Sequence, residues 1–298
     1  MLNLERLRVL RAVASTGSVV GAAAALHVTT SAVSQQLARL EREVGEPVAE
    51  RNGRGIRLTD AGALLAERAG ELLADVERIE AELAERRGTV TGNLRIAAFA
   101  TAARGLLPGA LADLRHRHPE LSVTSAEQEP HEAIPAVLRG TLDLAIVQDW
   151  ADDPLTIPEG LAQHHLLDDR FDLALPADHP LADRTDISVQ ELADQEWIGW
   201  SPGQICHDWL IRTLRKHDIE PNIAHTASEH STQLALVAAG LGAAVIPRLG
   251  REPTPARIRI IPIEGDPTRR VFAVWRAGTS ARPAIRAAVT ALTTVARQ

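Results

Sequence analysis

The chain has one cysteine, one methionine and no tyrosine in 298 residues. With Cys206 alone, no intrachain disulfide and no cysteine-based zinc site can form from a single copy. That suits a reducing compartment, so a cytoplasmic location is expected. Aromatic residues make up only 3% against 45% hydrophobic residues overall, so Ala, Leu, Val and Ile must supply most of the cores. Lys216 is the only lysine, which leaves arginine to carry the positive charge. No apolar run reaches the roughly 20 residues of a membrane-spanning helix. Arg6, Arg8 and Arg11 ahead of the small-residue run Val19–Val28 outline a secretory leader, but Glu5 and Ser15–Ser18 interrupt it and a helical reading serves better. The sequence also lacks a phosphate loop and His-Glu-x-x-His, so no enzyme activity and no cofactor are expected. No metal site is expected either: His116 and His118 end a helix before Pro119, and His164 and His165 would point to opposite faces of a strand. Asp152-Asp153 and Asp168-Asp169 read as solvated loop charges.

What the chain does have is an uneven distribution of charge. The net charge is −7, yet Met1–Leu58 holds eight Arg against five Glu, a local excess of three. A basic head on an acidic body fits a module that reads nucleic acid, not a general nucleic-acid coat. Leu4, Leu7, Leu10, Val13 and Ala14 recur at helical spacing, giving a helix that stops near Ser15–Gly17. Ser18 can cap a second helix running through Leu26. After the polar break His27–Thr29, a third helix runs from about Thr30 to Val44 and stops at Gly45. Val33, Leu37, Leu40 and Val44 share its buried face; Ser31, Ser34, Gln35, Ala38, Arg39 and Arg42 share the other. The small side chains of Ala22–Ala25 allow close crossing. On this pattern alone, a helix-turn-helix and an ordinary three-helix core remain open. The next segment shifts the balance to the former: Val48–Leu58 contains Arg51-Asn52-Gly53-Arg54, and Asn-Gly is a strong hairpin signal. A helix-turn-helix followed by a basic hairpin is a winged module, with the third helix suited to the major groove and the hairpin tip to phosphates or the minor groove.

The stretch Gly17–Gly62 resembles the N-terminal signature of LysR-type transcription regulators. The matching pieces are Gly17-Ser18, the paired Ala before Leu26, Ser31-Ala32-Val33-Ser34, Leu40-Glu41, Gly45, Glu50-Arg51 and Leu58-Thr59-x-Ala61-Gly62. Two pieces depart. Val48-Ala49 stands where the family's wing usually begins Leu-Phe, which implies a lighter core beneath it. Thr30-Ser31 opens the third helix in place of Gln-Pro, which bears on the operator sequence. The resemblance implies a sequence-specific regulator that binds a double-stranded DNA operator, responds to a small-molecule effector and self-associates to a dimer and a tetramer, with no membrane partner. The DNA contacts are expected at Ser18, Thr29, Thr30, Ser31, Ser34, Gln35 and Arg39, with Arg51 and Arg54 from the wing.

From Asp60 to about Arg86 the chain reads as one long helix, roughly 40 Å at about 1.5 Å per residue. Leu65, Ala69, Leu72, Val76, Ile79 and Leu83 are spaced four, three, four, three, four, a heptad seam suited to dimerisation. The resemblance points the same way. The domains expected are a winged helix-turn-helix at 1–59, a linker and dimerisation helix at 60–87, and an effector-binding domain at 88–298.

Beyond the hinge-like Arg87–Asn93, strand and helix signals alternate, which predicts an α/β domain with parallel sheets. The resemblance implies a two-lobed, periplasmic-binding-protein-like architecture: lobe I at about 91–163 and 267–298, lobe II at about 164–266, with crossings near Gln163–Leu167 and Ile261–Asp266. Ligands in open α/β sheets sit where carboxyl ends of strands meet helix N-termini. Thr101 and Ala102 follow the first strand of this half; Gln148, Ser201 and the run Ser228, Glu229, His230 and Ser231 follow later ones, so these are the expected effector contacts. Helix N-termini favour anions, which points to a small anionic metabolite. Taken singly, Thr101 and Ser201 could equally be helix caps. Cys206 near a helix start could have a lowered thiol pKa, and some relatives sense oxidants through a cysteine at a comparable place; a buried neutral thiol is the alternative. An extracytoplasmic solute-binding protein shares the two-lobed plan but has no use for a winged head, and an enzyme would need a catalytic constellation that does not emerge.

Overall fold

A computed structural model describes residues 2–26, 28–52, 55–86 and 90–298. They form two compact units. The first comprises Met1–Val90 with Arg139–Thr141 and Gly278–Pro283; the second comprises Thr91–Leu138, Leu142–Ala277 and Ala284–Gln298.

In the first unit, α1 (Leu4–Thr16), α2 (Val19–Leu26) and α3 (Thr30–Val44) form where the apolar spacing requires them. Each start is closed by a side-chain oxygen, as isolated helix N-termini demand. Asn3 accepts from the Glu5 N–H at 2.9 Å, Ser18 from Gly21 at 3.0 Å and Thr29 from Ala32 at 3.1 Å. Gly17 ends α1 at φ 64°, a left-handed conformation that costs a glycine little. Leu7, Leu10, Val13, Ala22, Val33, Leu37 and Leu40 form the buried core. The wing is the antiparallel pair β1 (Ala49–Asn52) and β2 (Gly55–Leu58). Val48 is buried beneath it, with Ile56 and Leu58 only partly so. Two backbone anchors compensate: Val48 N–H donates to the Glu41 carboxylate at 3.1 Å, and Ile56 N–H donates to the Gly17 carbonyl at 3.2 Å.

Helix α4 (Asp60–Arg86) starts at Thr59, whose hydroxyl accepts from Gly62 N–H at 3.1 Å and donates to the Pro47 carbonyl at 2.8 Å. Its heptad seam is divided. Leu65 and Ala69 pack into the core of the winged module. Leu72, Ile79 and Leu83 are exposed, and Val76 is half-buried.

The second unit begins with β3 (Gly92–Ala98), α5 (Ala100–Gly105), α6 (Leu107–Arg117), β4 (Leu121–Glu127), α7 (Pro130–Arg139) and β5 (Leu144–Trp150). The long β6 (Leu161–Pro176) follows, then β7 (Glu196–Gly199), α8 (Ile205–Lys216), β8 (Asn222–Thr226), α9 (His230–Ala238), β9 (Ala244–Pro247), β10 (Ile258–Pro262), β11 (Thr268–Arg276) and α10 (Pro283–Ala296). The main sheet runs β10-β6-β11-β5-β3-β4, with β9 also on β6; β7 and β8 form a separate parallel pair.

Parallel pairing holds for β3 with β4 and β5, but β11 is antiparallel to β5 and β6, and β6 to β9 and β10. The sheet is therefore mixed, not parallel. The strands that break the rule are those that travel between the two halves. Residues 161–170 of β6 pair with β11, and Phe171–Pro176 pair with β9 and β10. The exchange thus falls at Arg170, later than the expected Gln163–Leu167, while the return lies between β10 and β11, close to Ile261–Asp266. Asp168-Asp169 is strand and not loop, because in the register Arg270 and Arg269 stand opposite the two carboxylates. The scarce aromatics are also concentrated: four of the five tryptophans join one core in the second half, with Trp150 stacked on Trp209 at 4.1 Å.

Two glycines of α4 should respond oppositely to alanine. A Cβ on Gly62 would lie 1.8 Å from the Val48 carbonyl oxygen, whereas at Gly70 the nearest atom is Arg11 Cδ at 4.0 Å. Gly62→Ala should destabilise the winged module by about 3 kcal/mol through overpacking against backbone. Gly70→Ala should stabilise it by up to about 1 kcal/mol through helix propensity. Urea denaturation followed by circular dichroism measures both; equal effects would contradict the packing described.

Candidate functional site

Two surfaces carry the residues singled out from the sequence. On α3, Val33, Leu37 and Leu40 are buried, which turns Thr30, Ser31, Ser34, Gln35 and Arg39 outward, all exposed, with Thr29 exposed at the cap. The Ser34 hydroxyl donates to the Thr30 carbonyl at 3.0 Å, so its lone pairs face out as acceptors. Ser18 and Ser34 line one open groove of about 460 Å³, together with Val20, Ala38 and Gly55. The N-terminus of α3 adds the positive end of its dipole to this face, and Arg39 and Arg42 add full charges. Arg54 lies outside the described residues, and so does the side chain of Arg51, whose backbone pairs with Ile56 in the wing.

The second surface is a cleft of the second unit, organised by a residue the sequence reading missed. Arg269 on β11 is buried to 2% exposure. Its Nε and Nη2 donate to Asp169 Oδ2 at 2.9 and 2.6 Å, its Nη2 also to Thr101 Oγ1 at 2.6 Å, and its Nη1 to Gln148 Oε1. The guanidinium lies over the rings of Phe99 and Phe171, 4.9 and 5.0 Å from their centroids. Thr101 is therefore no helix cap: it sits one residue inside α5 with its hydroxyl on the guanidinium. Ala102 is buried behind it. Gln148 turns its amide to Cys206, Nε2 to Sγ 3.8 Å.

Ser201 and Ser228 meet hydroxyl to hydroxyl at 3.1 Å, and Ser201 N–H donates to Gln204 Oε1 at 3.1 Å. Glu229 is the exposed N-cap residue of α9, with Ser231 Oγ 3.5 Å from its carboxylate. His230 turns inward against Trp200, ring centroids 5.9 Å apart. It shares a small cavity of about 10 Å³ with Thr101, Ser231, Arg104 and Arg251, room for about one water. The cavity closes where backbones touch: a Cβ on Gly250, at φ 65°, would lie 2.5 Å from the Thr101 carbonyl oxygen. Arg104 pairs with Glu252 at 2.7 Å and Arg251 with Asp172 at 2.6 Å.

The electrostatics of this cleft are legible in two titratable groups. Both ring nitrogens of His230 are buried with no hydrogen-bond partner among the described residues. Burial, then the charges of Arg269, Arg104 and Arg251, push its pKa down to about 3. Burial pushes the Cys206 thiol up to about 11, outweighing the nearby Arg269, so the thiol stays protonated near neutrality. No group of three or more His, Cys, Asp or Glu among the described residues could hold a metal ion.

Residues 4–63 match the family model described as "Bacterial regulatory helix-turn-helix protein, lysR family", and residues 87–297 match "LysR substrate binding domain". The chain belongs to the LysR family of transcription regulators. It is a DNA-binding LysR regulator whose second domain makes its activity responsive to a small molecule. Among curated LysR relatives, it is 31% identical to the probable cat1 operon transcriptional activator of Acinetobacter lwoffii, covering 84% of this chain and 82% of that one. It is 28% identical to the hydrogen peroxide-inducible genes activator of Pectobacterium carotovorum, over 94% and 92%. A solved full-length OxyR variant from Pseudomonas aeruginosa shares the fold at a TM-score of 0.78 and 24% identity, over 100% of this chain and 97% of that one.

The position of His230 has a consequence for acid stability. Its pKa is lowered from 6.5 to about 3 on folding, so between those values the unfolded chain binds a proton that the folded one does not. The stability present above pH 6.5 is therefore lost as pH falls towards 3. His230→Leu should flatten this acid limb in urea unfolding measured from pH 7 to 4. An unchanged slope would mean that the imidazole is not buried neutral.

Proposed function

We propose that the chain is a cytoplasmic LysR-type regulator that reads its operator through Ser18, Thr29, Thr30, Ser31, Ser34, Gln35 and Arg39, with Arg51 and Arg54 on the wing. It responds to a small anionic metabolite bound beside Thr101, His230 and Ser231. Catalysis has no part in this reading. Among the described residues no helix is long and apolar enough to cross a membrane.

One observation carries the anionic reading. His230 acts as a built-in probe of the local field: three arginines and no carboxylate are the charges that perturb it. Those arginines favour an anion there although each is also paired with a carboxylate, and a ligand oxygen would satisfy the imidazole N–H that lacks an acceptor. The cavity is too small for a metabolite as it stands, so binding requires the close approach of Gly250 to the Thr101 carbonyl to part. Cys206 is the specific observation that bears on a redox reading, raised by the relative named as an activator of hydrogen peroxide-inducible genes. A buried thiol held at about 11 is a poor nucleophile near neutrality, which favours reversible binding over thiol oxidation.

Self-association is assigned to the distal part of α4, where Leu72, Ile79 and Leu83 are exposed at heptad spacing. Leu65 and Ala69, packed in their own module, contribute indirectly by fixing the helix. The proposed domains remain 1–59, 60–87 and 88–298.

The deciding experiment is a thermal-shift screen of small mono- and dicarboxylates against their uncharged amides, followed by DNA binding upstream of the chain's own gene. An acid should raise Tm where its amide does not; His230→Leu should lose that shift yet keep operator affinity, and Gln35→Ala should keep the shift yet lose about 1–3 kcal/mol of operator binding. If amides and acids act alike, the anionic assignment is wrong.

Leu72→Asp with Ile79→Asp would place two carboxylates in a desolvated seam, a severe penalty. Sedimentation should show monomers at concentrations where the parent protein is dimeric. An intact dimer would place the interface elsewhere.

A further inference from the structure

The second half of the effector unit contains a larger opening than the cleft, and nothing in the reading above uses it. About 430 Å³ lies between the turn at Ser188–Leu192, α8 and the Ile263–Pro267 segment. This is within the size range of small-molecule sites. Its apolar walls are Trp197 and Trp209 with Leu210, Leu214, Val245 and Ile263, all nearly buried members of the aromatic core, so the opening lies directly against that core. The rim is held rather than frayed: Glu264 N–H donates to the Ile187 carbonyl at 2.9 Å, and Gln190 Nε2 donates to His217 Nδ1 at 3.1 Å across the mouth.

Three features define what would fit. The walls are apolar and aromatic, which selects a flat apolar body. Trp197 is buried to 1% exposure, and its indole N–H has no acceptor among the described residues, whereas buried indoles normally find one. Glu264 is the one carboxylate among the lining residues and no arginine or lysine joins it, so an anion would be repelled without compensation. We propose that this cavity is a second ligand site, distinct from the anion cleft, for an uncharged aromatic molecule carrying a hydrogen-bond acceptor. Trp197 Nε1 is closed to solvent in this structure, so the acceptor engages it once the indole turns toward the opening, and the ring packs against Trp209. Because Trp209 is stacked on Trp150 at the end of β5, two residues past Gln148, the occupant abuts an aromatic pair that leads to the Arg269 cluster.

The test uses the full chain and 1-naphthol as probe, with naphthalene and 1-naphthoate as comparisons, in calorimetric titration and by the tryptophan indole signals in NMR. Expected are saturable 1-naphthol binding with shifts at the Trp197 and Trp209 indoles, and affinity at least about tenfold weaker for naphthalene, which lacks the acceptor, and for 1-naphthoate, which brings a charge. Thr213→Phe at the mouth should abolish binding while the far-ultraviolet dichroism and operator affinity stay unchanged; should that variant fail to fold, Gln190→Trp on the exposed rim serves the same purpose. Binding that survives either folded blocking variant, or no saturable binding at all, would overturn the site. Equal affinity for naphthalene or 1-naphthoate would overturn the ligand class. A change in sedimentation coefficient on blocking the mouth, with no naphthol binding to the parent, would show the groove to be a subunit contact instead. None of these outcomes depends on whether His230 binds an anion.

Discussion

A buried arginine holds the effector domain together. Arg269 fixes the end of β3 and the start of α5 through Thr101, β5 through Gln148, and β6 through Asp169, with two aromatic rings covering its faces. Removing a guanidinium from such a setting strips a partner from one carboxylate oxygen, an amide oxygen and a hydroxyl, which typically costs about 3–5 kcal/mol. The consequence for specificity matters more than the energy. Four segments far apart in sequence are given one relative position, and the small cavity beside His230 takes its shape from that position. Leu249 N–H donates to the other oxygen of Asp169 at 2.7 Å, so the loop that closes the cavity answers to the same carboxylate.

The winged module is stabilised differently, by small side chains and caps. Its core contains no aromatic side chain, so close approach does the work that bulk does elsewhere: Ala22 and Ala23 let α2 cross α3, and Gly62 lets α4 touch the backbone at Val48. Interiors packed this tightly tolerate little added volume. Thr30, Ser31, Gln35 and Arg39 stand exposed on α3, while Glu41 of the same helix anchors the wing.

Much of this was legible in the sequence because its causes are local. The spacing of Val33, Leu37 and Leu40 determines which side of α3 faces out, and Asn52-Gly53 marks the wing whatever lies elsewhere. Thr101 and Gln148, which meet at Arg269, can be placed at strand ends because those ends can be counted along the chain. Arg269 cannot be placed this way, since it is one arginine among many and only the pairing of β11 with β6 distinguishes it. The same pairing converts Asp168-Asp169 from an apparent loop into strand. The division of the α4 seam was equally hidden: a heptad reports that a stripe exists, not how much of it the neighbouring module has already covered. Low aromatic content suggested aliphatic cores throughout, yet sequence separation concealed that Trp150, Trp197, Trp200 and Trp209 converge.

Strand β6 belongs to both halves of the effector domain, β11 claiming one end and β9 and β10 the other. At about 3.3 Å per residue, its sixteen residues span roughly 50 Å. Such a member behaves as a torsion bar. Opening the cleft cannot be a free swing about a loose joint; it must wind or unwind a hydrogen-bonded ribbon, and the restoring torque is set by the ladder on either side. Asp169 stands next to the point where the ribbon changes partners, so an effector that loosens its grip on Arg269 would soften the bar at its middle.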